Sequence, residues 1–220
     1  QELGSFLKNK YKLAEISLGD EGGYSLDFPN NLEPLIVFEE KIRSDGLEGE
    51  FELGIDAAAS SFYRDGKYFF EDRKLTPEEL EETYLSYFEK APLLFSIEDP
   101  FQENDGKSFA ALRRARPEKL IVGDDLTATN PELIREAAHD KAIGGVIIKP
   151  NQIGTVSETC KAIDIAHKNG LKCIVSHRSG ETADSFIIHF AKASGVYGVK
   201  IGAPARERLS KFEELVKIYT

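Results

Sequence analysis

The sequence predicts an α/β fold of the TIM type, a (β/α) barrel, on three observations. Seven short apolar runs recur along the 220 residues. Stretches with helix start and stop signals lie between them. Every run ends in charged or polar residues, and a barrel gathers such strand ends around one mouth, as an open sheet does not. The runs are 16–21 (ISLGDE), 51–56 (FELGID), 94–99 (LFSIED), 120–125 (LIVGDD), 146–149 (VIIK), 173–178 (CIVSHR) and 196–200 (VYGVK). Their near-continuous hydrophobicity reads as parallel strands covered on both faces. No Gly-x-Gly-x-x-Gly follows the first run, which weakens a dinucleotide-binding doubly wound sheet.

Taken in order, the opening stretch 1–10 resembles the tail of a helix. The chain starts on Gln1 and contains no methionine, so it reads as excised or truncated. Gly19-Asp20-Glu21-Gly22-Gly23 is a glycine-flanked loop at the end of the first run. Thr76-Pro77-Glu78-Glu79 combines an N-cap, a first-turn proline and a capping-box Glu, with apolar periodicity through Phe88. Asn130-Pro131 opens the next helix in the same way, and Ser157 is the expected cap of the one after it. Asn169-Gly170 supplies the left-handed stop of that helix. A last helix is expected over about 183–194, ending at Gly195. Without a linker, repeat or low-complexity tract, residues 1–220 read as one domain. Seven strands of the eight that close such a barrel, in a chain shorter than the ~250 residues typical of one, predict an incomplete barrel.

The formal net charge of −10 argues against a nucleic-acid surface, which needs a basic patch. No apolar run is long enough for a membrane span and no signal segment is visible, so a soluble, cytoplasmic protein is expected. Cys160 and Cys173 lack both metal-ligand spacing and disulfide-framework density, and read as reduced thiols.

The chemistry sits at the strand ends: Glu21, Asp56, Glu98, Asp124, Lys149, His177 with Arg178 and Ser179, and Lys200. Asp56, Glu98 and Asp124 come from three consecutive runs. Each alone is better explained by helix capping or lysine pairing. Together they would repel one another without a cation, and hard oxygen ligands favour Mg²⁺. A lysine such as Lys149 or Lys200 acts as a base only when burial and positive neighbours pull its pKa down from ~10.4. Arg178 and Ser179 suit a phosphate, and Glu21 on its loop is a candidate general acid. A base, an acid, a metal and an anion grip fit proton abstraction beside a carboxylate, followed by loss of a hydroxyl.

The strings GDEGG (19–23), LGIDAAAS (53–60), SIEDPF (96–101), VGDDLTATNP (122–131), IKPNQIGT (148–155), SHRSGET (176–182) and VKIGAP (199–204) together resemble the enolase family, in its order and along almost the whole chain. The resemblance implies a barrel of the enolase kind and reversible dehydration of 2-phosphoglycerate to phosphoenolpyruvate. It places Mg²⁺ on Asp56, Glu98 and Asp124, the base on Lys149 and the acid on Glu21. Arg178 and Ser179 match the phosphate grip, Lys200 the substrate-carboxylate contact, and His177 the active-site histidine. It further implies a homodimer for the complete protein.

This sequence departs from the family at Ile201 after Lys200, at Pro150 after Lys149, and at Ala183-Asp184 after SHRSGET. The segment ARERLSKFEEL also lacks the usual Ser-Glu-Arg and Tyr-Asn pattern. The family's N-terminal capping domain, with its mobile loop, has no counterpart in these 220 residues. The expectation is therefore a C-terminal enolase portion that needs the N-terminal segment, in cis or in trans, for activity. The alternative is an enolase-derived binding or scaffold fragment without catalysis.

Overall fold

The computed structural model describes residues 2–219, and the expected helical character of Gln1 lies outside the described residues. In chain order the elements are α1 (Glu2–Tyr11), β1 (Ser17–Leu18), β2 (Tyr24–Ser25), α2 (Glu33–Ser44), β3 (Leu53–Asp56), β4 (Tyr63–Arg64), β5 (Lys67–Phe70), β6 (Arg73–Leu75) and α3 (Pro77–Lys90). There follow β7 (Leu94–Glu98), α4 (Gly106–Ala115), β8 (Leu120–Gly123), α5 (Pro131–His139), β9 (Gly145–Ile148), α6 (Pro150–Ile153), α7 (Val156–Lys168), β10 (Lys172–Ser176), α8 (Phe186–Ala193), β11 (Gly198–Lys200) and α9 (Leu209–Tyr219). The chain divides into two compact units. The larger is Asn30–Ile174, and the smaller joins the residues before it to those after it, so that β10 runs across the boundary.

In the larger unit β3, β7, β8 and β9 are neighbours in one parallel sheet. Every residue of β8 and β9 is buried, as strands covered on both faces must be. Leu120, Val122 and Ile147 form an apolar cluster with Phe95 and Ile174. The alternate residues Ile97, Ile121, Val146 and Ile148 are equally buried on the opposite face. Buried Leu80, Phe109, Leu112, Ile134 and Ile163 supply the apolar faces of α3, α4, α5 and α7. Glu39 of α2 is buried but satisfied, accepting from Leu93 N at 2.6 Å and Arg43 Nη2 at 2.9 Å. The antiparallel strands β4–β6 are anchored through Tyr68, whose hydroxyl accepts from Gln102 N at 3.0 Å.

Several local expectations hold. Thr76 and Glu79 form the reciprocal capping box of α3, at 3.2 and 2.7 Å. Asn130 caps α5 by accepting from Glu132 N, and Gly170 takes a positive φ of 71° beyond α7. Others need correction. The cap of α7 is Thr155, not Ser157: Thr155 Oγ1 accepts from Glu158 N at 3.2 Å, and Ser157 sits inside the first turn. The last of the expected helices begins at Phe186 rather than near 183, because Asp184 Oδ1 holds Phe186 N at 2.7 Å in a preceding turn.

The first run is not a barrel strand. Six of the seven runs form strands of the six-stranded sheet, but 16–21 contributes only β1, which pairs antiparallel with β2 in the smaller unit. The glycines explain it. Gly19 N bonds to Gly23 O at 2.9 Å and Gly22 N to Gly19 O at 3.0 Å, so the chain reverses at once onto itself. Elsewhere in the smaller unit, α1 buries Leu7 and α8 packs on α9 and β11. Both cysteines are free, and burial pushes the Cys173 thiol up to about 12. Among the described residues no helix is long and apolar enough to cross a membrane.

Candidate active site

In the larger unit, parallel register sets the carboxylates side by side. Asp56 pairs with Glu98, and Glu98 with Val122, two residues before Asp124. Asp56 is exposed, with Oδ1 accepting from Ala58 N at 3.1 Å, whereas Glu98 and Asp124 are buried. The three expected metal ligands thus occupy the ends of three adjacent strands.

Asp99, which nothing in the sequence sets apart from its neighbour Glu98, organises the next turn. Its backbone is left-handed, with φ 42°, and its two carboxylate oxygens accept from Asp124 N at 2.9 Å and Asp125 N at 2.7 Å. Burial pushes its carboxyl up to about 6, with backbone N–H groups pulling down and Asp124 and Asp125 pushing up. Asp125 is raised as well, by burial first and then by Asp124, against the opposing pull of Lys149. One oxygen from each of Asp99, Asp124 and Asp125 lies within 4.8 Å of the others, close enough to share a cation. Through those two bonds Asp99 holds the backbone of Asp124 and Asp125 in place.

Lys149 reaches this patch from the end of β9. Its Nζ donates to Asp124 Oδ2, and Gln152 Nε2 donates to Asp124 Oδ1 at 3.3 Å. Thr129, fully buried and left-handed at φ 58°, ties the pair together. Its hydroxyl accepts from Lys149 N at 2.9 Å and donates to Gln152 Oε1 at 2.6 Å. Pro150, an unusual neighbour for the family, is the first residue of the one-turn helix α6, with Lys149 as its extended N-cap. A proline is tolerated there because that N–H has no helical partner. The substitution leaves Lys149 in contact with Asp124.

The smaller unit carries the remaining candidates. His177 follows β10, is buried, and donates its backbone N–H to Lys200 O at the end of β11, at 3.0 Å. Its Nε2 lies 3.2 Å from Glu21 Oε2, yet outside hydrogen-bond geometry, so proximity rather than a formed bond describes the pair. Its Nδ1 meets Arg208 Nε at 3.2 Å. Burial holds the His177 pKa below 6.5, opposed by Glu21 and aided by Arg208. Glu21 is half-exposed on the glycine turn, whose backbone is fixed by Ala203 N donating to Glu21 O at 3.0 Å. Arg178 and Ser179 are exposed, while Lys200 is half-buried beside buried Ile201. Within this unit Glu21, His177, Arg178, Ser179 and Lys200 lie on segments tied to one another by hydrogen bonds.

Arg208 and Lys211 were not found from sequence. Both are almost fully buried on the C-terminal segment, and Lys211 Nζ donates to Thr182 O at 2.7 Å. Their sequence signal was faint, two cations in a charged helical stretch with nothing to mark them as interior. Thr129 and Gln152 escaped notice because their work is done by one hydroxyl and one amide inside matched strings.

Comparison with known proteins gives a consistent result. A family model described as "Enolase, C-terminal TIM barrel domain" matches residues 1–220. A protein named enolase from Aeropyrum pernix is 42% identical over 221 residues, covering 99% of this chain and 51% of the relative. The enolase of Methanocaldococcus jannaschii is 41% identical over 217 residues, with 98% and 51% coverage. That of Campylobacter jejuni subsp. doylei is 41% identical over 204 residues, with 92% and 49% coverage. The chain spans about half the length of the curated relatives it matches.

Proposed function

The chain belongs to the enolase family, as its C-terminal TIM-barrel domain, and from that premise we propose that it carries the base, the acid and the metal ligands for reversible dehydration of 2-phosphoglycerate to phosphoenolpyruvate. The observation that carries the reading is the contact of Lys149 Nζ with buried Asp124, which puts a candidate base beside the row of acidic strand ends. The family relatives are about twice as long as this chain. The activity is accordingly proposed for the chain together with the N-terminal enolase segment, in cis or as a separate polypeptide, and the complete protein as a homodimer.

A divalent cation suits the carboxylate row. Asp99 and Asp125 are both raised from the ordinary aspartate value, by burial first and further by the Asp124 carboxylate. Such crowded negative charge on hard oxygen donors is what a cation like Mg²⁺ relieves. Asp56, Glu98 and Asp124 would hold it, and when bound it supplies positive charge to the substrate carboxylate, which makes the neighbouring C–H more acidic. In this reading Lys149 takes that proton and Glu21 donates one to the departing hydroxyl. Arg178 and Ser179 hold the phosphate, Lys200 meets the substrate carboxylate, and His177 lies beside Glu21. A scaffold without catalysis would not need Glu21, Lys149 and the carboxylate row together.

The test is the absorbance rise of phosphoenolpyruvate formation from 2-phosphoglycerate and Mg²⁺, with the N-terminal segment added to this chain. Turnover is expected, and Lys149→Ala should reduce it by roughly 10²–10⁴-fold. A folded chain that gives no turnover with the segment present, or a Lys149→Ala variant at the full rate, would refute the assignment.

A further inference from the structure

Arg208, the residue before α9, is completely buried. A guanidinium has five N–H donors and no acceptor. Here the guanidinium makes five contacts. Nε donates to His177 Nδ1 at 3.2 Å. Nη1 donates to Asp20 O at 3.1 Å and to the Glu207 carboxylate. Nη2 donates to Arg178 O at 3.3 Å and Ser179 O at 2.9 Å. Four of the five acceptors belong to, or adjoin, the residues assigned above to the reaction.

The chemistry of one contact is decisive. Arginine cannot accept, so Nδ1 of His177 is the acceptor nitrogen, and a neutral imidazole then carries its single proton on Nε2. That nitrogen is the one 3.2 Å from Glu21 Oε2 and sealed from solvent without a formed hydrogen bond. A second proton on Nδ1 would face the guanidinium head-on. We propose that Arg208 is the positioning residue of this half of the site: it fixes His177 as the neutral Nε2–H tautomer presented to Glu21, and it clamps the backbone that carries Glu21, Arg178 and Ser179.

The surrounding backbone is shaped to this guanidinium. Gly202 has φ 67°, and a Cβ there would come within 2.8 Å of Arg208 Cδ, 2.9 Å of Nε and 2.9 Å of Glu21 O. Lys211, one turn further on α9, holds Thr182 O and lies 3.6 Å from Glu181, fixing the next stretch of the same loop. Lysine at 208 would keep the charge with three donors on one nitrogen, so it could not reach acceptors spread over three segments. The groups that act on His177 are Glu21, Arg208 and Glu181.

The proposal rests on the reading of His177, Glu21, Arg178 and Ser179 as site residues, but its main test needs no turnover. Long-range ¹H–¹⁵N spectra of the ¹⁵N-labelled chain near pH 7, with the His177 ring assigned by its loss in His177→Gln, report the tautomer directly. A neutral ring protonated only on Nε2 is expected; an Nδ1–H ring, a mixture or an imidazolium overturns the proposal. Arg208→Gln, whose amide can accept as well as donate, should release the constraint and show both tautomers. With the N-terminal segment present, it should also lower turnover by roughly 10- to 100-fold. If Arg208→Gln does not fold, the parent spectrum decides alone. The expected tautomer in a chain without turnover would leave the positioning role standing and remove the assigned reaction; turnover with the wrong tautomer would do the reverse.

Discussion

Thr129 shows how much of this site depends on single hydroxyls. It is fully buried, left-handed at φ 58°, and bridges Lys149 N to Gln152 Oε1. A β-branched residue rarely adopts that backbone, so surrounding structure has to hold it there. Thr129→Val keeps shape and branching but removes both hydrogen bonds. Leaving a buried donor and acceptor unmatched costs about 1–3 kcal/mol, and urea unfolding should show a loss of that size. A loss within the ~0.5 kcal/mol typical of a surface change would mean that other partners replace the hydroxyl. Residues of this kind are where sequence reading fell short. The charged strand ends Asp56, Glu98, Asp124 and Lys149 announce themselves by type and position. Asp99, Thr129 and Arg208 work by orienting neighbours, through contacts that only the folded backbone creates.

At the scale of elements, legibility follows how local the determining physics is. The capping box at Thr76 and the stop at Gly170 are written within four residues, and both form as expected. The cap of α7 lies within a local motif as well: Thr155-x-x-Glu158 has capping-box spacing, and it displaces Ser157. The run at 16–21 failed differently, since its apolar residues looked like any other strand while the glycines after them reversed the chain. Strands β4–β6 drew no signal because they form a short antiparallel insertion without long apolar runs. The capping box gives a quantitative check. Thr76→Ala removes the acceptor for Glu79 N, while the backbone N–H of residue 76 still donates to the Glu79 carboxylate. Loss of such a cap costs about 1 kcal/mol, which should appear as a lower urea midpoint with an unchanged slope. An unchanged midpoint would show that packing of buried Leu80 and Tyr84 holds the first turn by itself.

For the whole molecule, the distribution of the candidate site residues between the two units has a thermodynamic consequence. Asp56, Glu98, Asp124 and Lys149 all belong to the larger unit, whereas Glu21, His177, Arg178, Ser179 and Lys200 belong to the smaller. A cation that binds the folded carboxylate row and not the unfolded chain stabilises the fold by RT ln(1 + [L]/Kd), about 2.7 kcal/mol at a hundredfold excess over Kd. Mg²⁺ should therefore raise the unfolding midpoint of the parent chain. Asp124→Asn should lose that increment, whatever its own baseline stability, because the comparison is the change on adding Mg²⁺. Baselines will differ, since Asp124 also accepts from Lys149 and Gln152. If the units unfold in separate transitions, only the transition of Asn30–Ile174 should move, followed through Tyr68, Tyr84 and Tyr87 within it. An Mg²⁺ increment of equal size in Asp124→Asn would place the cation elsewhere and remove the carboxylate row from the mechanism. The same outcome would leave Lys149 beside Asp124 as an ordinary buried ion pair.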